Sequence, residues 1–329
     1  MHHANYYYGH AHVLAQYCEL PEPLHPPRIQ GYLQHGWNIG DGLAPGVPFV
    51  EGSPLLVWSE QVRRRAWSQG RRDVVVVGSP FAYLLEMESS VRSRVVAGRS
   101  DGESSVRSRV VAGRSDGAPE PVGQEREGTI FYPFHGWEGQ EVMGDHRRLI
   151  DEIKAHESGP ITVCLYWNEH RVRAIRKLYE KAGFRVICHG YRGFWWRDHD
   201  REFLVRQLAE LRRHRRVVSN RLCSAIWYGL LAGCQGAVYG DPMVLENADP
   251  TFGGEPRLRR QWPEVYGYDP DQAAGYRSAR AELGADELAG PAELRTLLGW
   301  PAMDSAHALA HLSSGPSAAP SARPTSVSS

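Results

Sequence analysis

Six short apolar runs of this chain are each followed at once by residues able to hold a phosphate or move a proton. IQGYL (29–33) leads to Gln34, His35, Gly36 and Trp37, then Asp41. TIFYPF (129–134) leads to His135, Gly136, Trp137, Glu138 and Gly139, and ITVCLYW (161–167) to Asn168, Glu169 and His170. FRVICHG (184–190) ends in His189 and Gly190 and is followed by Arg192. RVVSN (216–220) ends in Ser219 and Asn220, before Arg221, Ser224 and Tyr228; AVYG (237–240) contains Tyr239 and precedes Asp241. Helix starts and arginines are donors for a diphosphate. Carboxylates and imidazoles are the usual carriers of protons. Each position also has an ordinary structural use. A histidine after a strand caps or packs, Ser219 and Asn220 suit the cap of the next helix, and Glu138 between glycines suits a solvated loop. Convergence is the stronger signal, because a parallel sheet puts all its strand ends on one edge.

Metal chemistry is not expected. Asp198, His199 and Asp200 form a D-x-D, but they precede a predicted helix at about 200, where Asp is a favoured cap. His2, His3, His10 and His12 are close in sequence, yet His10 and His12 fall on different faces of a helix.

The runs alternate with helical patterns near 143–156, 169–182, 200–213 and 221–233, which predicts a parallel sheet covered on both faces. The first block carries a predicted helix over 5–18, runs at 29–33, 55–58 and 73–78, and an arginine-rich helix over 61–69. Between the blocks, ESSVRSRVVAGRSDG (88–102) is repeated without a change at 103–117. A solenoid repeat diverges and recurs at least three times, so this is a local duplication. Its Gly, Ser and Arg content predicts a flexible linker over 88–128. Four regions are therefore expected: a lobe at 1–87, the linker, a lobe at 129–302, and a disordered Ser/Ala/Pro-rich tail at 303–329.

Formal net charge is zero, so no overall field favours nucleic acid, which is not expected as a partner. Lysine occurs only at 154, 177 and 181, leaving 35 of the 38 cations as arginine. That reflects either GC-rich coding or a supply of planar phosphate donors. Five scattered cysteines without a C-x-x-C point to reduced core thiols. The first ten residues carry no basic-then-apolar leader, and no apolar stretch approaches the roughly 18 residues of a membrane span. A cytoplasmic protein without a transmembrane segment is the expectation. There is no G-x-x-x-x-G-K-[ST], no G-x-G-x-x-G after a strand and no G-x-S-x-G, which argues against Walker ATPases, standard NAD enzymes and α/β-hydrolases.

Two stretches resemble a known group. IQGYLQHGWN (29–38) with LLVWSEQVRRRAWSQGRRDVVVVGSPFAYL (55–84) is similar to the N-terminal lobe of GT-B-type enzymes. These include capsular-polysaccharide glycosyltransferases, glycerophosphotransferases and sugar-nucleotide 2-epimerases. VVSNRLCSAIWYGLLAGCQGAVYGDP (217–242) resembles their donor-binding segment. The resemblance covers about half the chain. It implies an α/β fold of two Rossmann-like lobes with parallel sheets, a cleft between them and a short first lobe. It also implies a glycosyltransferase acting without a metal or other cofactor, on a nucleotide-sugar donor and a hydroxyl-bearing acceptor, in polysaccharide or secondary-metabolite biosynthesis. Donor phosphates would then lie against Ser219, Asn220, Arg221 and Ser224, with Arg192 and Arg221 as clamps and His189 and Tyr239 beside the base or ribose. Glu138 and His35, then His135 and Asp41, are the expected general bases. The alternatives are a sugar-nucleotide 2-epimerase or hydrolase on the same scaffold, and a non-catalytic nucleotide-binding or scaffold protein.

Overall fold

The computed structural model describes residues 3–43, 52–100, 125–136, 142–193, 199–246 and 254–302. A 3-10 segment, His3–Gly9, runs into helix α1 (His10–Tyr17). Strands β1 (Tyr32–Leu33), β2 (Leu55–Val57) and β3 (Val74–Val76) then form a parallel sheet in that order. Helix α2 (Glu60–Ser68) joins β2 to β3, and α3 (Pro80–Ser100) follows. Ser59 starts α2 by accepting the Val62 N–H at 3.3 Å.

Strand β1 is shorter than the apolar run at 29–33, since Gly31 adopts φ 132°. A side chain closes its free edge. Asn5 Nδ2 donates to the Gly31 carbonyl at 2.9 Å, and the Leu33 N–H donates to Asn5 Oδ1 at 2.8 Å. The amide thus stands in for a neighbouring peptide, and the 3-10 segment does the work of an edge strand. Asn5→Ala leaves the buried Leu33 N–H without its acceptor, an expected cost of about 2–3 kcal/mol. A urea midpoint that falls at constant m-value would show it.

The second half begins with β4 (Thr129–Tyr132), β5 (Val142–Met143), α4 (His146–His156), β6 (Ile161–Cys164), α5 (Trp167–Arg171) and α6 (Arg173–Lys181). It continues with β7 (Arg185–Ile187), α7 (Phe203–Arg213), β8 (Arg216–Ser219), α8 (Ser224–Leu231), β9 (Gln235–Val238) and β10 (Val244–Leu245). Five of these strands make a parallel sheet in the order β7-β6-β4-β8-β9. The other two, β5 and β10, pair as a separate antiparallel ribbon. Alternation along the strands explains the two covering layers. Ile130, Tyr132, Cys164 and Val217 share a core with Leu208 and Leu211 of α7 and Ile226 of α8. Phe131, Val163, Val218 and Ala237 pack instead with Leu149 and Ile153 of α4 and Tyr179 of α6.

The α/β class with parallel sheets is as the sequence suggests. The two sheets are also linked by apolar packing, because Leu33, Leu56 and Trp58 belong to the same cluster as Ile130 and Val217. Helices α9 (Gly254–Gln261), α10 (Gln272–Leu283) and α11 (Pro291–Leu298) carry the chain back towards the first sheet. There the Gln30 N–H donates to the Leu298 carbonyl at 2.9 Å, and Arg295 Nε donates to the Cys18 carbonyl at 2.9 Å, neutralising the end of α1. Helix α3 differs from expectation: it runs on through residues 88–100, which composition assigns to the linker. Glu88 is fixed there by Arg212 of α7, whose Nη2 donates to its carboxylate at 2.9 Å. The second copy of the repeat lies outside the described residues.

Candidate functional site

The order of the larger sheet reverses between β4 and β8: the chain goes from β4 through β6 to β7 on one side, then from β8 to β9 on the other. The loops after adjacent strands diverge at such a point and leave a crevice at their carboxyl ends. Pro133 ends β4 by withholding an N–H. Asn220, fully buried at the end of β8, then ties the edge together. Its Oδ1 accepts the Phe134 N–H at 2.7 Å and its Nδ2 donates to the Asp241 carbonyl at 2.6 Å, so it fastens the loops after β4, β8 and β9. Ser219 Oγ accepts the Arg221 N–H at 3.2 Å, and α8 starts at Ser224 instead of at 221.

The turn after β1 meets this edge. Gly36 sits against Ser224, and the Trp37 N–H donates to Ser224 Oγ at 3.0 Å. Beside it, His35 Nε2 is 3.1 Å from Arg192 Nη1 in the loop after β7. Arg192 is buried; its Nε donates to Tyr166 OH at 2.8 Å, and its guanidinium lies over the rings of Tyr7 and Tyr166 at 5.2 and 5.9 Å. Tyr166 in turn stands 4.5 Å from the His135 ring, centre to centre. A contiguous line therefore runs from His35 through Arg192 and Tyr166 to His135, joining the carboxyl ends of β1, β7, β6 and β4. In neutral His135, Nδ1 donates to the Gly136 carbonyl at 2.9 Å, which leaves the ring's lone pair on Nε2. Arg221 lies over Phe134 at 4.1 Å, with its Nε 3.9 Å from Glu255, and burial lowers its pKa.

Two groups that sequence reasoning left unassigned belong here. Tyr166 lies inside the run 161–167, which reads simply as a strand. Glu169, in the turn of helix after β6, is 8% exposed; its Oε1 accepts the Gly136 N–H at 2.8 Å, and its buried Oε2 has no hydrogen-bond partner among the described residues. Tyr8 adds strain, with φ 57° for a bulky residue, held by its N–H donating to the Arg192 carbonyl at 2.9 Å.

Other expected site residues are placed elsewhere. Asp41 closes its own loop, accepting the Leu43 N–H at 3.0 Å and pairing with Arg71 at 3.3 Å. Tyr239 turns away from the crevice and donates to Glu157 at 2.8 Å, and Glu157 also binds Arg216 at the opposite edge of the sheet. His189 lies beneath the edge, bonded to Tyr132 OH at 2.9 Å, and burial pushes its pKa to about 3. Glu138, Trp137 and Asp198 lie outside the described residues. Among the described residues, no group of three or more His, Cys, Asp or Glu is placed to hold a metal ion, and no helix is long and apolar enough to cross a membrane. No protein-family model and no curated protein matches the chain.

Proposed function

We propose that this chain is a nucleotide-sugar-dependent glycosyltransferase whose donor phosphates lie in the crevice between the ends of β4 and β8. One observation supports the proposal: the turn after β1 meets the carboxyl edge of the larger sheet, through His35 on Arg192 in the loop after β7 and the Trp37 N–H on Ser224 at the start of α8. Arg192 and Arg221 supply the positive charge that a leaving nucleotide needs, in the low-dielectric setting where such charge is most effective. The base takes a proton from the acceptor hydroxyl, that oxygen attacks the anomeric carbon, and the bond to the leaving phosphate breaks. Among the described residues His35 and His135 have the right chemistry and place for the base. Ser219 and Asn220 act by shaping the edge, because their polar atoms are already engaged with neighbouring groups.

The test is a thermal-shift screen against UDP, GDP, CDP, CMP, dTDP and their sugars. One nucleotide class is expected to raise Tm, and Arg192→Met and Arg221→Met are each expected to abolish the rise. Asn220→Ala is a poor probe, since it would loosen three loops at once. No shift with any nucleotide at millimolar concentration would sink the proposal. Turnover of a sugar nucleotide with no acceptor present would reassign the chain to the epimerase or hydrolase class.

A further inference from the structure

The hydrogen bond between Arg192 and His35 places two proposed roles in competition. A guanidinium stays protonated and can only donate. The Nε2 atom, 3.1 Å from Arg192 Nη1, therefore contributes its lone pair, and the proton of the neutral ring sits on Nδ1. That lone pair is the one His35 needs to take a proton from a hydroxyl. Arg192 is also one of the two cations proposed above to hold the donor phosphates. Phosphate offers it charged, bidentate acceptors, whereas imidazole offers one neutral acceptor.

We propose that Arg192 holds His35 inactive as a base until a phosphate-bearing donor draws the guanidinium onto itself, so that the donor must bind before the acceptor can be deprotonated. This rests on the nucleotide-donor function proposed above. The surroundings suit such an exchange. Tyr7 and Tyr8 of the 3-10 segment face His35 with ring centres at 4.8 and 5.4 Å, and Arg192 approaches from the loop after β7. Behind Tyr8 stands His10 at 5.5 Å, kept neutral by burial. Arg192 thus carries the charge in this group near neutral pH. While it remains on Nε2, protonation there would set cation against cation and lose a hydrogen bond, which disfavours the imidazolium. Tyr8, with φ 57°, is bonded to the Arg192 carbonyl, so the backbone beside the arginine is strained where the change is proposed.

The experiment is a pH titration of the full chain labelled with nitrogen-15 in histidine, with the His35 signals assigned by their loss in His35→Gln, and inorganic pyrophosphate as the probe. In the free protein His35 is expected to stay neutral, protonated at Nδ1, through the ordinary histidine range. Saturating pyrophosphate is expected to raise its midpoint by about one unit or more. Arg192→Met should raise it without pyrophosphate; Arg192→Gln serves if that variant fails to fold. Pyrophosphate that binds, seen as a rise in Tm, while the midpoint stays fixed would overturn the proposal but leave the donor site standing. An unchanged midpoint in the Arg192 variants would also overturn it. If neither pyrophosphate nor any nucleotide binds, the donor site fails and the binding order fails with it.

Discussion

Replacing Glu282 by alanine is expected to destabilise the protein by about 3–5 kcal/mol, the usual cost of stranding one member of a buried ion pair. Glu282 of α10 is the hub of a small network. Arg65 of α2 donates to both of its oxygens, at 2.9 and 2.7 Å, and Trp37 Nε1 donates to Oε2 at 2.7 Å. The side chains of Arg65 and Glu282 are 11% and 5% exposed, so water cannot take the place of the lost carboxylate. Loss of the carboxylate leaves a buried guanidinium and a buried indole N–H without that acceptor. A fall in Tm of roughly 5–10 °C is expected. Arg65→Met combined with Glu282→Met should cost less than Glu282→Ala alone, because no charge is then stranded. A loss below about 1 kcal/mol for Glu282→Ala would mean that the network is not formed as described. The effect should extend to the site. Trp37 is wedged between Trp227 and Trp262, with ring centres at 5.4 and 5.0 Å, and it follows His35 and Gly36 directly. Freeing its indole loosens the turn that holds His35 against Arg192.

The larger sheet was legible because its strands are apolar on both faces, and each face has a helix layer to cover it. The strand ends were legible for the same reason, and His35 and Arg192 do meet although they are far apart in sequence. Side-chain direction was not. Tyr239 shares its parity with Ala237, whose face packs on Phe131 and Ile153, so its ring follows that face to Glu157 rather than entering the crevice. Asn220 looks like a phosphate ligand until its two backbone partners are seen. The ribbon of β5 and β10 gave no signal, since two residues per strand define no period. Helix α10 did carry one, with Asp271 capping its start and Gly284 in the left-handed conformation at its end. Asn5 shows another limit: a side-chain amide replacing an edge strand has no pattern to read.

Acid should unfold this protein from within, because two imidazoles are sealed in its core as neutral groups. Burial lowers His10 from the ordinary 6.5 to about 3, and His189 also to about 3. Burial and the nearby His199 and Arg201 lower His12 as well. A depressed histidine pKa means that the unfolded chain binds the proton first. The stability these neutral rings contribute is complete above about 6.5 and is lost as the pH falls towards their folded values. The loss is about 1.4 kcal/mol per pH unit for each fully buried ring, so at pH 5 His10 and His189 together remove about 4 kcal/mol. His12 adds in the same direction. Neither nitrogen of His10 has a hydrogen-bond partner among the described residues, whereas His189 is bonded to Tyr132. His10→Leu should therefore keep or raise stability at pH 7.5 and remove one proton from the slope between pH 6.5 and 4. His189→Leu removes a proton too, but it sacrifices the Tyr132 contact and should be less stable at every pH above 6.5. Urea unfolding of the three proteins across that range separates these cases. Equal slopes for the parent and His10→Leu would show that His10 is not sealed, and would place the acid sensitivity elsewhere.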